Sequence, residues 1–212
     1  DVIEPSNGGG AFLVIYLNIL LENNLLKEWS QSKQKIYVND INEIAMNSFK
    51  KKIIEVGIEK KFILNCQDGR EFLNGLETNL CPCIVGNPPY FRQTKGEGLN
   101  KNHDIYADFV SLAFEHSLKN KGIVSFLVPL SITFSKNFFE VRDKLWTGAA
   151  QKKYTNFDNM PDYIFKQGKT DSINTNKAIS QRVSLLTVNG RKQNKTLSTE
   201  LISWKTMERS KI

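Results

Sequence analysis

The sequence predicts a doubly wound α/β domain with a mostly parallel sheet and an antiparallel edge hairpin. Three observations carry this: short apolar runs alternate with helix-length amphipathic stretches, turn residues separate them, and the alternation breaks off after Trp146. Strands that alternate with helices of ten to twenty residues form βαβ units, whose parallel sheet is covered on both faces.

Val2, Ile3 and Glu4 form a short apolar strand running into Pro5-Ser6-Asn7-Gly8-Gly9-Gly10, and residues 11–29 are rich in Leu, Ile and Phe at helical length. Residues 36–39 make a second strand ending at Asp40, and the helix after it stops near Val56 at Gly57, a helix-terminating residue. Residues 62–65 give a third strand with Asp68 just beyond it, and Ile84-Val85-Gly86 a fourth, followed at once by Asn87-Pro88-Pro89-Tyr90. The polar stretch from Phe91 to His103, with Arg92, Lys95 and Lys101, has no apolar period and reads as a long loop that closes over substrate or is simply a surface segment. A helix over 106–118 ends at Gly122, a strand over 123–128 is closed by Pro129, and 138–146 is again amphipathic. Beyond it, 154–165 and 182–188 read as two strands with no helix between them, which is the expected edge hairpin.

At 212 residues and 40% hydrophobic, the chain can bury one substantial core. Nothing in it approaches the ~18 consecutive apolar residues of a membrane span, so no membrane association and a cytoplasmic location are expected. Three cysteines, an odd count, exclude a complete disulfide framework, and Cys81-Pro82-Cys83 lacks the second ligand pair a zinc site needs, so no metal is expected. Residues 1–150 hold 17 Lys+Arg against 17 Asp+Glu, and residues 151–212 hold 12 against 5, which places the whole net charge of +7 in the last third. That asymmetry suits a polyanion, since phosphate neutralisation supplies most sequence-independent affinity, or else marks a solvated lysine-rich face. Asp1-Val2-Ile3 reads as the middle of a strand, and an upstream segment is expected in the natural protein.

Ligands of such sheets bind outside the carboxyl ends of the strands, at the switch in strand order. Four clusters fall there: residues 4–10, Asp40, Asp68 and residues 87–90. Glycines at 8, 9 and 10 allow positive φ and close approach of a ligand to the backbone, although many such turns are only tight connections. Asp40 stands where a ribose diol is held in dinucleotide-binding sheets, and it equally suits a helix N-cap. Pro88 forces Asn87 into an extended conformation, and consecutive prolines stiffen the loop, offering the Asn87 side-chain oxygen and the Pro88 carbonyl as fixed acceptors before an aromatic plate, Tyr90. Two acceptors hold an exocyclic amino group and favour its nucleophilic form, while the ring stacks; the bland reading is a surface turn that ends in a tyrosine. His116, within a helical stretch, reads as structural or exposed, and His103 sits in the loop.

These residues carry a resemblance. Glu4-Pro5-Ser6-Asn7-Gly8-Gly9-Gly10-Ala11-Phe12-Leu13 resembles the cofactor motif Asp-Pro-x-x-Gly-x-Gly-x-Phe-Leu of N6-adenine DNA methyltransferases, and Asn87-Pro88-Pro89-Tyr90 matches their catalytic motif. The motif order is similar to the gamma group of type II restriction-modification enzymes, the Eco57I/Alw26I-like set, and residues 106–109, 123–131 and 156–165 also look like that family. Glu4 stands where Asp is usual, and Gly9 where Ser is common. The resemblance implies a Rossmann-like class I methyltransferase fold over residues 1–190, with 191–212 opening a basic C-terminal segment. It implies S-adenosylmethionine as cofactor, bound by Glu4, Pro5, Gly8, Gly10, Phe12, Asp40, Ile41, Asp68 and Gly69, with Glu4 and the glycine turn at the methionine part, Asp40 at the ribose hydroxyls and Asp68 at the adenine amino group. Asn87, Pro88, Pro89 and Tyr90 would be catalytic, with Tyr90 and Phe165 against a base rotated out of double-stranded DNA; Phe165 is equally a plain core residue. A target-recognition domain and a fused or separate restriction endonuclease are expected partners, and the oligomeric state is left open. Rival readings are a protein-glutamine N5-methyltransferase, whose target is also a planar amide nitrogen, and a non-catalytic fragment that binds DNA or cofactor.

Overall fold

A computed structural model describes residues 1–76, 82–90, 104–158 and 182–203. Its strands are β1 (Val2–Glu4), β2 (Ile36–Asn39), β3 (Phe62–Asn65), β4 (Cys83–Gly86), β5 (Ile123–Pro129), β6 (Gln151–Phe157), β7 (Val183–Asn189) and β8 (Lys195–Ile202). Among the described residues they form one eight-stranded sheet, in the order β3-β2-β1-β4-β5-β7-β6-β8. The first five neighbours run parallel; β7 lies antiparallel between β5 and β6. The antiparallel pair is therefore set into the sheet, and the outermost strand on that side is β8, parallel to β6. Residues 195–202, read from sequence as part of a basic C-terminal segment, thus extend the sheet past position 190.

Helices α1 (Ala11–Glu22), α2 (Leu26–Gln31) and α3 (Glu43–Glu55) cover one face of the sheet, while α4 (Gly69–Asn74), α5 (Ile105–Asn120) and α6 (Phe139–Thr147) cover the other. The two-residue period of a strand produces this division, because neighbouring side chains point to opposite faces. Val2 joins Leu13, Ile36, Val38, Met46 and Phe49 in one core, and Ile3 joins Ile84, Phe109, Ala113, Phe126 and Leu145 in the other. Fully buried side chains such as Ile3 and Ile84 each contribute about 1.5–3 kcal/mol, which anchors β1 and β4 and so fixes the loops at their ends.

The stretch expected as one helix over 11–29 is two. Asn24 takes a left-handed backbone (φ 57), which Asn tolerates better than most residues, and Leu25 N–H donates to Leu20 O at 2.8 Å. The break turns Trp29 into the core, where its ring meets Tyr16 edge-on at 6.2 Å. Among the described residues no helix is long and apolar enough to cross a membrane.

Candidate active site

Strand order reverses between β1 and β4, which puts the loops leaving them at the switch point on the carboxyl edge of the sheet, where the ligand crevice of such folds lies. The first loop is the glycine turn. Gly10 has φ 81 and caps α1 with no side-chain hydrogen bond, a conformation that a residue with a Cβ would enter only under strain. At Gly8 and Gly9 an added Cβ would meet nothing within 4 Å, so the backbone there is open to an approaching ligand. Asn7 N–H donates to Asn39 O at 2.9 Å, and both polar atoms of the Asn7 side chain are buried without a hydrogen-bond partner.

Glu4, at the end of β1, is 1% exposed, and its Oε2 has no hydrogen-bond partner. Burial, with the Asp40 carboxylate nearby as a second cause, pushes its carboxyl up to about 8. A buried acid of this kind favours a cationic ligand, which would relieve the cost of ionising it. Asp40 faces the same turn: Oδ2 accepts from Gly8 N at 2.6 Å, and Oδ1 from Asn42 N at 2.8 Å. It does not cap α3. Asn42 does so, accepting from Ala45 N at 3.1 Å, and this leaves Asp40 as the brace of the glycine turn, with lone pairs to spare. A cavity of about 260 Å³ opens beside it, lined by Gly8, Gly9, Asp40, Asn42, Phe49 and Lys52 among others.

Asn39 is the residue that sequence reading missed. Wholly buried, its amide donates to Pro5 O at 3.1 Å and to Gln67 O at 3.0 Å, while its oxygen accepts from Gln67 N at 3.2 Å. One side chain therefore ties the loops after β1 and β3 to the end of β2. In the sequence it is only a strand-final Asn, with partners far away along the chain.

Asp68 caps α4 through Arg70 N at 2.8 Å, and its carboxylate also accepts from Arg70 Nε at 2.9 Å and Nη2 at 2.6 Å. That fork holds the Asp68 carboxyl below its ordinary range. Arg70 reaches on to buried Asp108 at 3.7 Å, a link that motif reading did not anticipate. Gly69 packs tightly: an added Cβ would lie 2.4 Å from the Phe109 ring and 2.7 Å from Pro5 O. Ile41 is 72% exposed.

On the other side of the crevice, Pro88 is buried and Asn87 half-buried, with Asn87 Oδ1 shielded from solvent and without a hydrogen-bond partner. Ser6 Oγ donates to Asn87 O at 3.4 Å, and Gly86 sits so that an added Cβ would be 3.7 Å from the Pro5 ring. The two motifs are thus in contact. Tyr90 is held in place: its hydroxyl donates to Leu127 O at 2.8 Å, and its ring meets Tyr106 edge-on at 5.8 Å. Burial raises the Tyr90 phenol well above its ordinary value, which keeps it protonated and uncharged. His116 is buried on α5, outside this cluster. Phe165, His103, Cys81 and the loop basic residues Arg92, Lys95 and Lys101 lie outside the described residues.

A parallel sheet with a glycine turn after β1, an acidic residue after β2 and a switch point between β1 and β4 defines a class I S-adenosylmethionine-dependent methyltransferase fold. Solved structures agree. The chain superposes on the cryo-electron-microscopy structure of a DrdV–DNA complex with a TM-score of 0.67 at 15% identity, covering 100% of this chain and 26% of that one. A Listeria monocytogenes chain described as a class I S-adenosylmethionine-dependent methyltransferase gives 0.60 at 13% identity, covering 94% and 58%. A type I restriction-modification methyltransferase subunit from Streptococcus thermophilus gives 0.61 at 15% identity, covering 93% and 42%. This chain therefore spans between about a quarter and somewhat over half of those proteins. Residues 11–165 match the Eco57I restriction-modification methylase model, and the chain belongs to that family. No curated protein sequence matches it. S-adenosylmethionine is the methyl donor of this class, and the unpartnered Glu4 carboxyl beside an open glycine turn fits a cationic cofactor.

Proposed function

We propose that this chain is the catalytic domain of a site-specific DNA methyltransferase that transfers a methyl group to N6 of an adenine rotated out of duplex DNA. The observation that carries the reading is Asn87 Oδ1, buried and unpartnered, on a loop in contact with the glycine turn through Ser6. A buried acceptor with no donor costs about 1–3 kcal/mol, a cost recovered when a substrate N–H fills it. The family and the DNA-bound structural neighbour support a nucleic-acid substrate.

In this reading Glu4 and the Gly8–Gly10 backbone hold the methionine part of S-adenosylmethionine, Asp40 with Ile41 the ribose, and Asp68 the adenine amino group. Pro5 and Phe12 flank the turn, and Gly69 allows its close packing. Bound there, the cofactor supplies an electrophilic methyl group on a cationic sulfur. Asn87 Oδ1 and the Pro88 carbonyl accept hydrogen bonds from the two amino N–H groups and stabilise the positive charge that develops on nitrogen, and one of those protons is released to water once the N–C bond has formed. Pro88 and Pro89 keep that pair of acceptors rigid, and Tyr90, fixed by Leu127 and Tyr106, stacks on the ring. Phe165 is assigned to the opposite face of the base. Sequence selection belongs to a target-recognition domain reading base edges, since phosphate contacts carry no sequence information. The setting we assign is the cytoplasm, within a bacterial restriction-modification system that also includes a nuclease.

The test supplies labelled S-adenosylmethionine to the protein with unmethylated duplex DNA and, in parallel, a release-factor-type protein. N6-methyladenine in the DNA is expected, and Asn87→Ala should abolish transfer while cofactor binding stays near wild type. Label found only in protein, or full activity in Asn87→Ala, overturns the assignment.

A further inference from the structure

The chain leaving β5 carries two features that methyl transfer does not explain. It passes through two short 3₁₀ turns, Leu130–Thr133 and Lys136–Phe138, before entering α6. Its apolar residues divide sharply: Ile132 and Phe138 are buried, whereas Phe134 and Phe139 are 70% and 60% exposed, with exposed Lys136 between them. Leaving a phenylalanine in water forgoes about 1.5–3 kcal/mol of burial.

The exposure is not that of a slack loop. Arg142 is buried, and its Nη1 donates to Ile132 O at 3.1 Å and to Ser135 O at 2.5 Å, carbonyls on either side of Phe134. Ser135 N–H donates to Ser131 O at 2.8 Å, Thr133 Oγ1 to Leu130 O at 2.7 Å, and Leu130 N–H to Arg182 O at 2.9 Å. A buried guanidinium thus keeps an aromatic ring turned outward. The loop is also joined to Tyr90 by way of Tyr106. The Ser131 and Tyr106 hydroxyls are 3.3 Å apart, Tyr106 stands 5.3 Å from Phe138, and it meets Tyr90 edge-on at 5.8 Å. Phe134 therefore stands on a loop that leaves β5 at the carboxyl edge of the sheet, the edge from which residues 87–90 leave β4.

We propose that residues 130–139 form a contact surface for DNA with unstacked bases. Phe134 and Phe139 stack on bases beside the displaced nucleotide, Lys136 meets a phosphate, and Arg142 is a positioning residue for Phe134. Planar rings interleaved with a cation are what single-strand recognition uses, because every base offers a π-face and every nucleotide a phosphate. The location of the DNA rests on the methyltransferase reading, whereas the binding readout below does not.

Binding of a fluorescein-labelled, mixed-sequence single-stranded oligonucleotide to the full chain is followed by anisotropy, alongside methylation of unmethylated phage DNA. Losing one base–aromatic stack should weaken oligonucleotide binding by roughly 5- to 150-fold in Phe134→Ala, with melting temperature and S-adenosylmethionine affinity unchanged. Phe134→Trp should restore binding and Phe134→Leu should not, and Lys136→Ala should reduce the salt slope by about one. If the wild-type chain methylates no DNA yet the Phe134 variants lose oligonucleotide binding, the surface stands and the methyltransferase reading falls. Wild-type binding by the Phe134→Ala/Phe139→Ala double variant, or no binding by the wild type, overturns the surface.

Discussion

Replacing Glu4 by Gln should convert a buried titration into a measurable change in stability. Unfolded, Glu4 titrates near its ordinary 4.5; in the fold it titrates near 8, chiefly because burial disfavours the charged form. Folding therefore prefers the protonated acid. Its contribution is fully present below about pH 4.5, declines as the unfolded chain ionises and the fold does not, and is gone once pH passes 8. Each unit of separation is worth about 1.4 kcal/mol, so between about pH 5 and about pH 8, allowing for partial ionisation at both ends, the wild type should lose roughly 3–4 kcal/mol relative to Glu4→Gln. That is a large share of the 5–15 kcal/mol typical of a domain. Urea unfolding of both proteins across this range measures it directly. The gap should widen with pH and then level off, and saturating S-adenosylmethionine should narrow it by favouring the carboxylate. Parallel stability profiles for the two proteins would refute the claim that Glu4 is held neutral.

Two further substitutions probe how the crevice is built. Asn39→Ala removes three hydrogen bonds to the Pro5 and Gln67 backbone; at about 1 kcal/mol each it should cost roughly 3 kcal/mol by urea unfolding and weaken cofactor binding, and a loss below about 1 kcal/mol would contradict its bracing role. Gly69→Ala places a Cβ 2.4 Å from the Phe109 ring and 2.7 Å from Pro5 O. Overpacking of this kind costs about 1–3 kcal/mol, and wild-type thermal stability in the variant would show that the contact relaxes freely.

The parallel half of the sheet was legible because buried strands are continuous apolar runs and their helices carry apolar faces. Residues 123–128 and 36–39 could hardly be read otherwise. The last strand was not legible, since Lys195–Ile202 is exposed along most of its length and is held by backbone pairing with β6. The helix break at Asn24 was hidden for the opposite reason, in that apolar residues continue on both sides of it. Within the site, glycines, prolines and terminal carboxylates announced themselves by residue type. Asn39 and Arg70 did not: the contacts of Asn39 exist only after β1, β2 and β3 are aligned, and Arg70 meets Asp108 only after α4 has packed beside α5, so an Asn or Arg at those positions looks like any other polar residue.

The insertion of β7 between β5 and β6 has a consequence for how such a domain diversifies. Val183 is the register partner of both Pro129 and Phe157, so the chain leaves β6 and re-enters β7 at the same rim as the crevice. Asp158 and Arg182, paired at 2.9 Å, close that exit like a clasp. Because both ends are pinned at one rim, the sequence between these two positions can lengthen, shorten or change character while every strand keeps its partner. An architecture of this kind separates what can vary at the rim from the strand pairing that holds the sheet together.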